Sequence, residues 1–195
     1  MLTDPTALLL QLAAALDAAE VRYAVGGSIA SSRHGEYRAT NDIDVLVEVG
    51  PSTVGPLISA LGSDFHVDRE AAERAVRAGG TFTAIHLREL VKIDFFVATE
   101  EKLHRLQLER REPVLLDAAA PPVYLISAED TVLAKLVWFR RSGLVLEGQL
   151  RDVVGVLKTR GGELDREYLG HAAAVLGVRD LLAQALAKAG LAAGD

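Results

Sequence analysis

Three aspartates are the residues of this chain whose type and spacing could support catalysis. Asp42 and Asp44 lie in the run 42–49, where alternating apolar residues predict a β-strand with one buried face. Side chains two positions apart on a strand share a face and lie about 7 Å apart. Asp94 lies inside a second apolar strand pattern, 90–97. Carboxylates that share a face repel one another unless a cation separates them, and Mg²⁺ prefers such oxygen ligands, so the pattern is consistent with a metal site.

Simpler explanations account for the same aspartates. The polar face of 42–49 can be the wet side of a strand end that binds no ligand. An unpaired aspartate buried in 90–97 would cost several kcal/mol, and a salt bridge to Lys92 or Arg38 would remove that cost as well as a metal would. The spacing alone leaves these alternatives open.

A glycine-rich turn precedes the first aspartate strand. Gly26-Gly27-Ser28 follows a short strand pattern at 21–25 and leads into a helix pattern at 28–35, which Gly35 ends. Glycines let a backbone approach a ligand closely, and the N-terminus of a helix offers free N–H groups to phosphate. A Gly-Gly turn is also a common structural turn, so this segment by itself decides nothing.

The period of the apolar positions and the turn residues predict the elements that must position these side chains. Leu8, Leu9, Leu12 and Leu16 share one face of a first helix, which Thr3-Asp4-Pro5 begins. The other predicted elements are strand 21–25, helix 28–35, strand 42–49, helices 53–61 and 68–78, strands 81–87 and 90–97 as a hairpin, helix 99–111, strand 113–116, and helices 128–142, 147–159, 165–176 and 178–189.

One linker-like stretch, the Ala- and Pro-rich segment 118–122, separates the strand patterns from the purely helical ones. The sequence therefore predicts two domains. The first, 1–117, is a mixed α/β (α+β) domain with a sheet flanked by helices. The second, 123–195, is a helical bundle.

Composition excludes several classes of protein. The chain has 195 residues, with 21 Lys and Arg against 27 Asp and Glu, a formal net charge of −6, and no cysteine. Disulfide frameworks, thiolate zinc sites and a cysteine nucleophile are therefore excluded. The acidity argues against binding nucleic acid by bulk charge. The apolar N-terminus carries Asp4, Asp17 and Glu20 and no basic region, which is atypical of a signal peptide, so we expect a cytoplasmic protein without membrane spans.

Taken in order along 21–97, these features resemble the nucleotidyltransferase superfamily, the group with the polymerase-β-like fold. The resemblance rests on the glycine turn, on the run 38–44 with its Arg-x-Thr-x-Asp-Ile-Asp pattern, and on Asp94. That run is especially similar to the AbiEii-type toxins of toxin–antitoxin systems and to the minimal nucleotidyltransferases. The implied fold is a mixed sheet flanked by helices and followed by a C-terminal helical bundle.

The resemblance also implies a chemistry. Such an enzyme moves a nucleoside monophosphate from an NTP, for example ATP, to a hydroxyl acceptor. Asp42, Asp44 and Asp94 would hold two Mg²⁺ ions, or Mn²⁺ in their place, and one carboxylate would help to deprotonate the acceptor. The residues implied to bind the nucleotide phosphates are Gly26, Gly27, Ser28, Arg38 and Thr40. Arg38 could equally be a structural partner of an aspartate, and Thr40 could brace the pair.

A lysine within an apolar helical stripe is the main feature of the C-terminal half. Lys135 lies in helix 128–142 on a face that it shares with Thr131, Val132, Trp138 and Phe139. Such a lysine either extends its ammonium to water or faces an anion, and we expect Trp138 to be a core residue. The resemblance implies that Lys135 contacts the triphosphate and that Asp152 positions Lys135 or the acceptor.

The acceptor and the partners follow from the resemblance alone. RNA is the first expectation for the acceptor, with a protein or a small molecule such as an aminoglycoside second, and a cognate antitoxin is an expected partner. Basic residues gather in 102–111 and at Arg140 and Arg141. Their side chains are either simply solvated or face RNA. The rival hypothesis is an inactive nucleotidyltransferase fold that serves as a binding module. The presence of all three aspartates favours an enzyme.

Overall fold

The two aspartate-bearing runs form neighbouring strands of one mixed sheet in the computed structural model, which describes residues 5–191. Within these residues the strands are β1 (Arg22–Val25), β2 (Asp42–Glu48), β3 (Phe65–Val67), β4 (Thr81–His86), β5 (Val91–Val97), β6 (Glu112–Val114) and β7 (Val123–Leu125). Their order across the sheet is β3-β4-β5-β2-β1-β7-β6. The sequence does not predict β3 or β7.

The centre of the sheet mixes parallel and antiparallel pairs. β2 runs parallel to β5 and antiparallel to β1, while β4 and β5 form the antiparallel hairpin that the sequence predicts. β7 lies parallel to β1 on its other side. Because neighbouring strands of a sheet are pleated in step, residues of equal register on β2 and β5 point to the same face of the sheet.

The helices are α1 (Pro5–Ala18), α2 (Gly27–His34), α3 (Val54–Leu61), α4 (Arg69–Ala78), α5 (Lys102–Glu109), α6 (Ala128–Arg141), α7 (Glu147–Arg160), α8 (Arg166–Val175) and α9 (Arg179–Lys188). No helix in this part of the chain is long and apolar enough to cross a membrane. The Thr3-Asp4 start predicted for α1 falls outside the described residues.

Local side chains explain why several helices begin and end where they do. Asp68 caps α4 by accepting a hydrogen bond from the Ala71 N–H at 3.0 Å, and Gly79, at φ 62°, ends that helix in the left-handed region. Ser127 caps α6 by accepting from the Asp130 N–H at 3.1 Å. This contact explains why the predicted helix 128–142 begins at Ala128.

The described chain divides into two compact units. The first unit contains the residues up to Ser28 and Ala39–Ile126, and it includes the whole sheet. The second unit contains Ile29–Arg38 and the residues from Ser127 onward, and it includes α6 to α9.

The core of the first unit lies on the apolar face of β2 and β5. Phe95 is fully buried and stacks on Phe82, with ring centroids 4.8 Å apart. Burial of an aromatic or large aliphatic side chain contributes about 1.5–3 kcal/mol, so these strands are firmly held. The other buried members of the two strands are Ile43, Val45, Leu46, Val47, Ile93 and Val97. The four leucines predicted on one face of α1 are also buried.

The core of the second unit surrounds α6, which packs against α7, α8 and α9. Leu133 and Leu136 of this helix are fully buried. The prediction that Trp138 is a core residue is wrong, because its side chain is 45% exposed. Trp138 lies in the last turn of α6 beside exposed arginines, and the Arg141 guanidinium is 5.9 Å from its ring centroid.

Candidate functional site

The register of β2 and β5 places three carboxylates on one face of the sheet. Asp44 is the direct partner of Asp94 across the parallel pair, and Asp42 is the partner of Lys92. Neighbouring strands are about 4.8 Å apart, so Asp44 and Asp94 are adjacent. The opposite faces of both strands are buried, which leaves these polar side chains no alternative direction.

Asp94 is held by two side chains, one on each carboxylate oxygen. The Lys92 ammonium lies 2.8 Å from Asp94 Oδ2 and 3.9 Å from Asp42 Oδ1. The Thr83 hydroxyl donates to Asp94 Oδ1 at 2.7 Å. The hydrogen bond and negative charge of Asp94, followed by the charges of Asp42 and Asp44, raise the pKa of Lys92, so this lysine is cationic. Sequence reasoning missed Thr83, which the register of the β4–β5 hairpin places opposite Asp94.

The glycine turn packs directly against Asp44. The Gly26 N–H donates to the Asp44 carbonyl at 2.8 Å. Gly27 has φ 55°, in the left-handed region, and a Cβ at this position would lie 1.8 Å from Asp44 Oδ2. Only glycine fits such a position, so the close approach predicted for this turn is made to the carboxylate of β2.

Thr40 braces the start of β2. Its hydroxyl accepts from the Asp42 N–H at 3.2 Å and donates to the Asp42 carbonyl at 3.0 Å. Of the two predicted roles for Thr40, the described contacts correspond to bracing Asp42. Ser28 lies in the first turn of α2, directly after Gly27.

The carboxylate oxygens of the three aspartates are donor atoms of the kind that a divalent cation such as Mg²⁺ binds. All three offer hard oxygen ligands on one face, and Asp42 is exposed to solvent while Asp94 is half-buried. The Lys92 ammonium shows that one cation can be shared by Asp42 and Asp94. Within residues 5–191, no three His, Asp or Glu side chains form a ready-made metal cluster, so an ion would bind with rearrangement of side chains.

A second polar cluster lies in the second unit. The Lys135 ammonium is 2.7 Å from Asp152 Oδ2 and 3.3 Å from Gln149 Oε1, and the Lys135 side chain is only 7% exposed. Arg38 Nη2 is 3.7 Å from the same Asp152 oxygen. Lys135 therefore does not extend to water but pairs with Asp152, and Arg38 also forms an ion pair with Asp152.

Loss of the Asp152 carboxylate is expected to destabilise the second unit. In an Asp152→Ala variant the buried Lys135 ammonium would lose its anionic partner, and breaking such a pair costs about 3 kcal/mol of unfolding free energy. Urea unfolding followed by circular dichroism measures this change. Asp180→Ala is the matched control, because Asp180 also forms an ion pair, with Arg140, but on an exposed surface where such pairs contribute little. Equal losses of unfolding free energy in the two variants would contradict the assignment of Lys135 and Asp152 as a buried, stabilising ion pair.

One arginine of the basic segment 102–111 makes structural contacts within the first unit. The Arg111 guanidinium donates to the Tyr23 carbonyl at 2.8 Å and stacks 4.2 Å from the Tyr124 ring centroid. Burial lowers the pKa of Arg111. Arg105 lies 3.8 Å from Glu109 on the exposed side of α5. These contacts give Arg111 a structural role and leave Arg105 at the surface.

No family model matches the chain, and no curated protein matches it in sequence. Solved structures do match. An antigenic nucleotidyltransferase-like protein from Paracoccidioides brasiliensis superposes with a TM-score of 0.59 at 20% identity, over 94% of this chain and 92% of that one. The antibiotic-resistance factor ANT(2″)-Ia, in complex with adenylyl-2″-tobramycin, gives 0.59 at 18% identity over 91% and 99%. Its solution structure gives 0.57 at 15% identity over 94% and 97%.

The chain has a nucleotidyltransferase fold. The fold class predicted from the sequence, a mixed sheet flanked by helices and followed by C-terminal helices, is thereby confirmed. In this nucleotidyltransferase fold, the first unit contains the three aspartates with Gly26, Gly27, Ser28 and Thr40, and the second contains Arg38, Lys135 and Asp152.

Proposed function

We propose that this protein transfers a nucleoside monophosphate from an NTP to a hydroxyl acceptor, using Asp42, Asp44 and Asp94 as ligands of Mg²⁺. The observation that carries the proposal is the register of β2 and β5, which sets Asp44 beside Asp94 with Asp42 on the same face. The Gly27 approach to Asp44 supports it, because this turn brings the N-terminus of α2 directly beside an aspartate of the face.

In the proposed reaction a bond forms between the acceptor oxygen and the α-phosphorus, the α–β phosphoanhydride bond breaks, and pyrophosphate leaves. Bound Mg²⁺, or Mn²⁺, would supply charge neutralisation for the triphosphate and a lowered pKa for the acceptor hydroxyl. One aspartate of the face accepts the hydroxyl proton. The N-terminus of α2 at Gly27 and Ser28 offers N–H groups to the phosphates, and Thr83 keeps Asp94 in its observed orientation.

The predicted phosphate contacts of Lys135, Arg38 and Thr40 belong to the same proposal. Lys135 is the strongest of them, because its buried ammonium is already positioned by Asp152 and Gln149. Lys135→Met is expected to weaken NTP binding about tenfold, the order that one charge-assisted hydrogen bond contributes. Calorimetry with a non-hydrolysable NTP analogue and Mg²⁺ measures this, with the exposed Lys158→Met as control. Unchanged affinity in a folded Lys135→Met protein would remove Lys135 from the proposal.

Two acceptor classes are proposed. A small hydroxyl-bearing molecule is favoured by the likeness to ANT(2″)-Ia, whose structure was solved with adenylyl-2″-tobramycin. RNA, with a toxin-like role and a cognate antitoxin, is favoured by the similarity of the run 38–44 to AbiEii-type toxins. A protein acceptor would take no label when RNA or an aminoglycoside is offered, but would take it when cell extract protein is offered.

The test is transfer of label from each of the four α-labelled NTPs in the presence of Mg²⁺, offered with total RNA, with aminoglycosides, or with cell extract protein. Label in one acceptor pool that disappears when EDTA replaces Mg²⁺ is the expected result. Mg²⁺-dependent NTP binding without transfer to any acceptor would instead indicate the rival function, an inactive nucleotidyltransferase fold that acts as a binding module. The absence of both NTP binding and label transfer would refute the proposal.

A further inference from the structure

Lys92 is a charged residue of the aspartate face that has no role in the proposed function. Its ammonium lies 2.8 Å from Asp94 Oδ2 and 3.9 Å from Asp42 Oδ1, so it stands between two of the three carboxylates. The Lys92 side chain is 47% exposed. A lysine in this setting holds its carboxylates by charge, and its flexible stem lets the ammonium move into water without disturbing β5.

A divalent ion held by Asp42 and Asp94 would lie where the Lys92 ammonium now lies, between the two carboxylates. Mg²⁺ binds carboxylate oxygens at about 2.1 Å and demands a regular arrangement of ligands. The ammonium and such an ion are both cations, so they repel each other when both lie against the same oxygen. Metal binding to Asp94 Oδ2 is therefore opposed by Lys92 for as long as the ammonium stays at that oxygen.

The other oxygen of Asp94 is held independently. Thr83 donates to Asp94 Oδ1 from β4, the strand on the far side of β5 from β2. When Lys92 leaves, this hydrogen bond still orients the carboxylate. The face thus has one contact that can be exchanged for a metal and one contact that stays.

We propose that Lys92 is a tethered counter-ion that links Asp42 and Asp94 in the metal-free protein and competes with the divalent cation for them, thereby setting the metal concentration that the site requires. This inference rests on the proposed function, in which these aspartates are the metal ligands. Removal of the competing charge should tighten metal binding, and retention of the charge on another side chain should not.

Direct Mn²⁺ binding, followed by the loss of the free Mn²⁺ signal in electron paramagnetic resonance, tests the competition without any need for activity. Lys92→Met keeps the apolar stem and is expected to bind Mn²⁺ about tenfold more tightly than the wild-type protein, the order for one nearby unit charge in a solvated site. Lys92→Arg keeps the charge and should stay within about threefold of the wild type. Lys188→Met, which removes an exposed lysine of α9, controls for net charge and should leave the affinity unchanged.

Thermal unfolding in metal-free buffer supplies a second measurement. Lys92→Met should melt below the wild type, because Asp42 and Asp94 then lack their shared cation, and saturating Mn²⁺ should close the gap. If the wild type binds Mn²⁺ and a folded Lys92→Met protein binds it no more tightly, this inference is overturned and the proposed function is not. If the wild type and an Asp42→Asn/Asp94→Asn variant both bind no Mn²⁺, the inference and the metal-dependent function fail together.

Discussion

Replacing Asp42 and Asp44 together with asparagine is expected to lower nucleotidyl transfer at least about a thousandfold, because metal ligation supplies several kcal/mol of transition-state stabilisation and each 1.36 kcal/mol is tenfold in rate. Asparagine keeps the shape of aspartate, and the backbone contacts of this strand start do not depend on the carboxylates. The fold should therefore persist, with an unchanged circular dichroism spectrum. The transfer rate on the acceptor labelled by the wild-type protein is the measurement.

The control for this variant is Glu70→Gln, which removes a carboxylate that is 88% exposed on the surface of α4. It should retain full transfer. Mn²⁺ binding is a second readout that needs no acceptor, and the double asparagine variant should lose it. A double variant that keeps more than about a tenth of the wild-type rate, when the expected loss is thousandfold, would show that these aspartates are not the catalytic ligands.

Replacing Gly27 with alanine is expected to damage both stability and transfer. The backbone at φ 55° costs an L-residue about 1–2 kcal/mol, and the added Cβ would lie 1.8 Å from Asp44 Oδ2, where overpacking costs a further 1–3 kcal/mol, about 3 kcal/mol together. The Asp44 carboxylate must move to relieve the overlap. A displacement of about 1 Å in a catalytic group costs on the order of hundredfold in rate, so transfer should fall by that factor.

Two other glycines of the first unit separate the causes of the Gly27 effect. Gly62 has φ 72° but nothing within 4 Å of its missing Cβ, so Gly62→Ala tests the backbone conformation alone. Gly50 has neither a positive φ nor a close neighbour, so Gly50→Ala tests the added methyl group. Gly62→Ala should lose about 1–3 kcal/mol with full transfer, because φ 72° with ψ −166° is almost confined to glycine, and Gly50→Ala should change little. If Gly62→Ala impaired transfer as much as Gly27→Ala, contact with Asp44 would not be the cause.

Most of the secondary structure around the aspartates could be predicted from the sequence, because it depends on neighbours along the chain. Alternation places Asp42 and Asp44 on one face of β2, and the caps at Asp68, Gly79 and Ser127 act within one helical turn. The strands Phe65–Val67 and Val123–Leu125 were missed, because neither three-residue segment shows a period of its own. Their pairing partners stabilise them.

The assembly of the polar clusters was decided by tertiary structure. Whether Lys92 serves Asp94 or faces water depends on the register between β2 and β5, strands that lie about 50 residues apart, and no local pattern encodes that register. The pairing of Lys135 also depends on tertiary structure, because its partner Asp152 lies on the next helix. The helical pattern predicted a buried Trp138, but no core packs over this side chain in the folded protein.

The sequence by itself therefore determined which residue types are present and which face of each strand or helix carries them, because both follow from the backbone period. The sequence alone showed that the three aspartates lie on apolar strands and that a glycine turn precedes the first of these strands. Only the tertiary structure decided that Gly27 abuts Asp44, that Asp44 stands beside Asp94, and that Lys92 already occupies an Asp94 oxygen. Those contacts join distant segments, and their geometry is fixed by how the strands pair and the core packs.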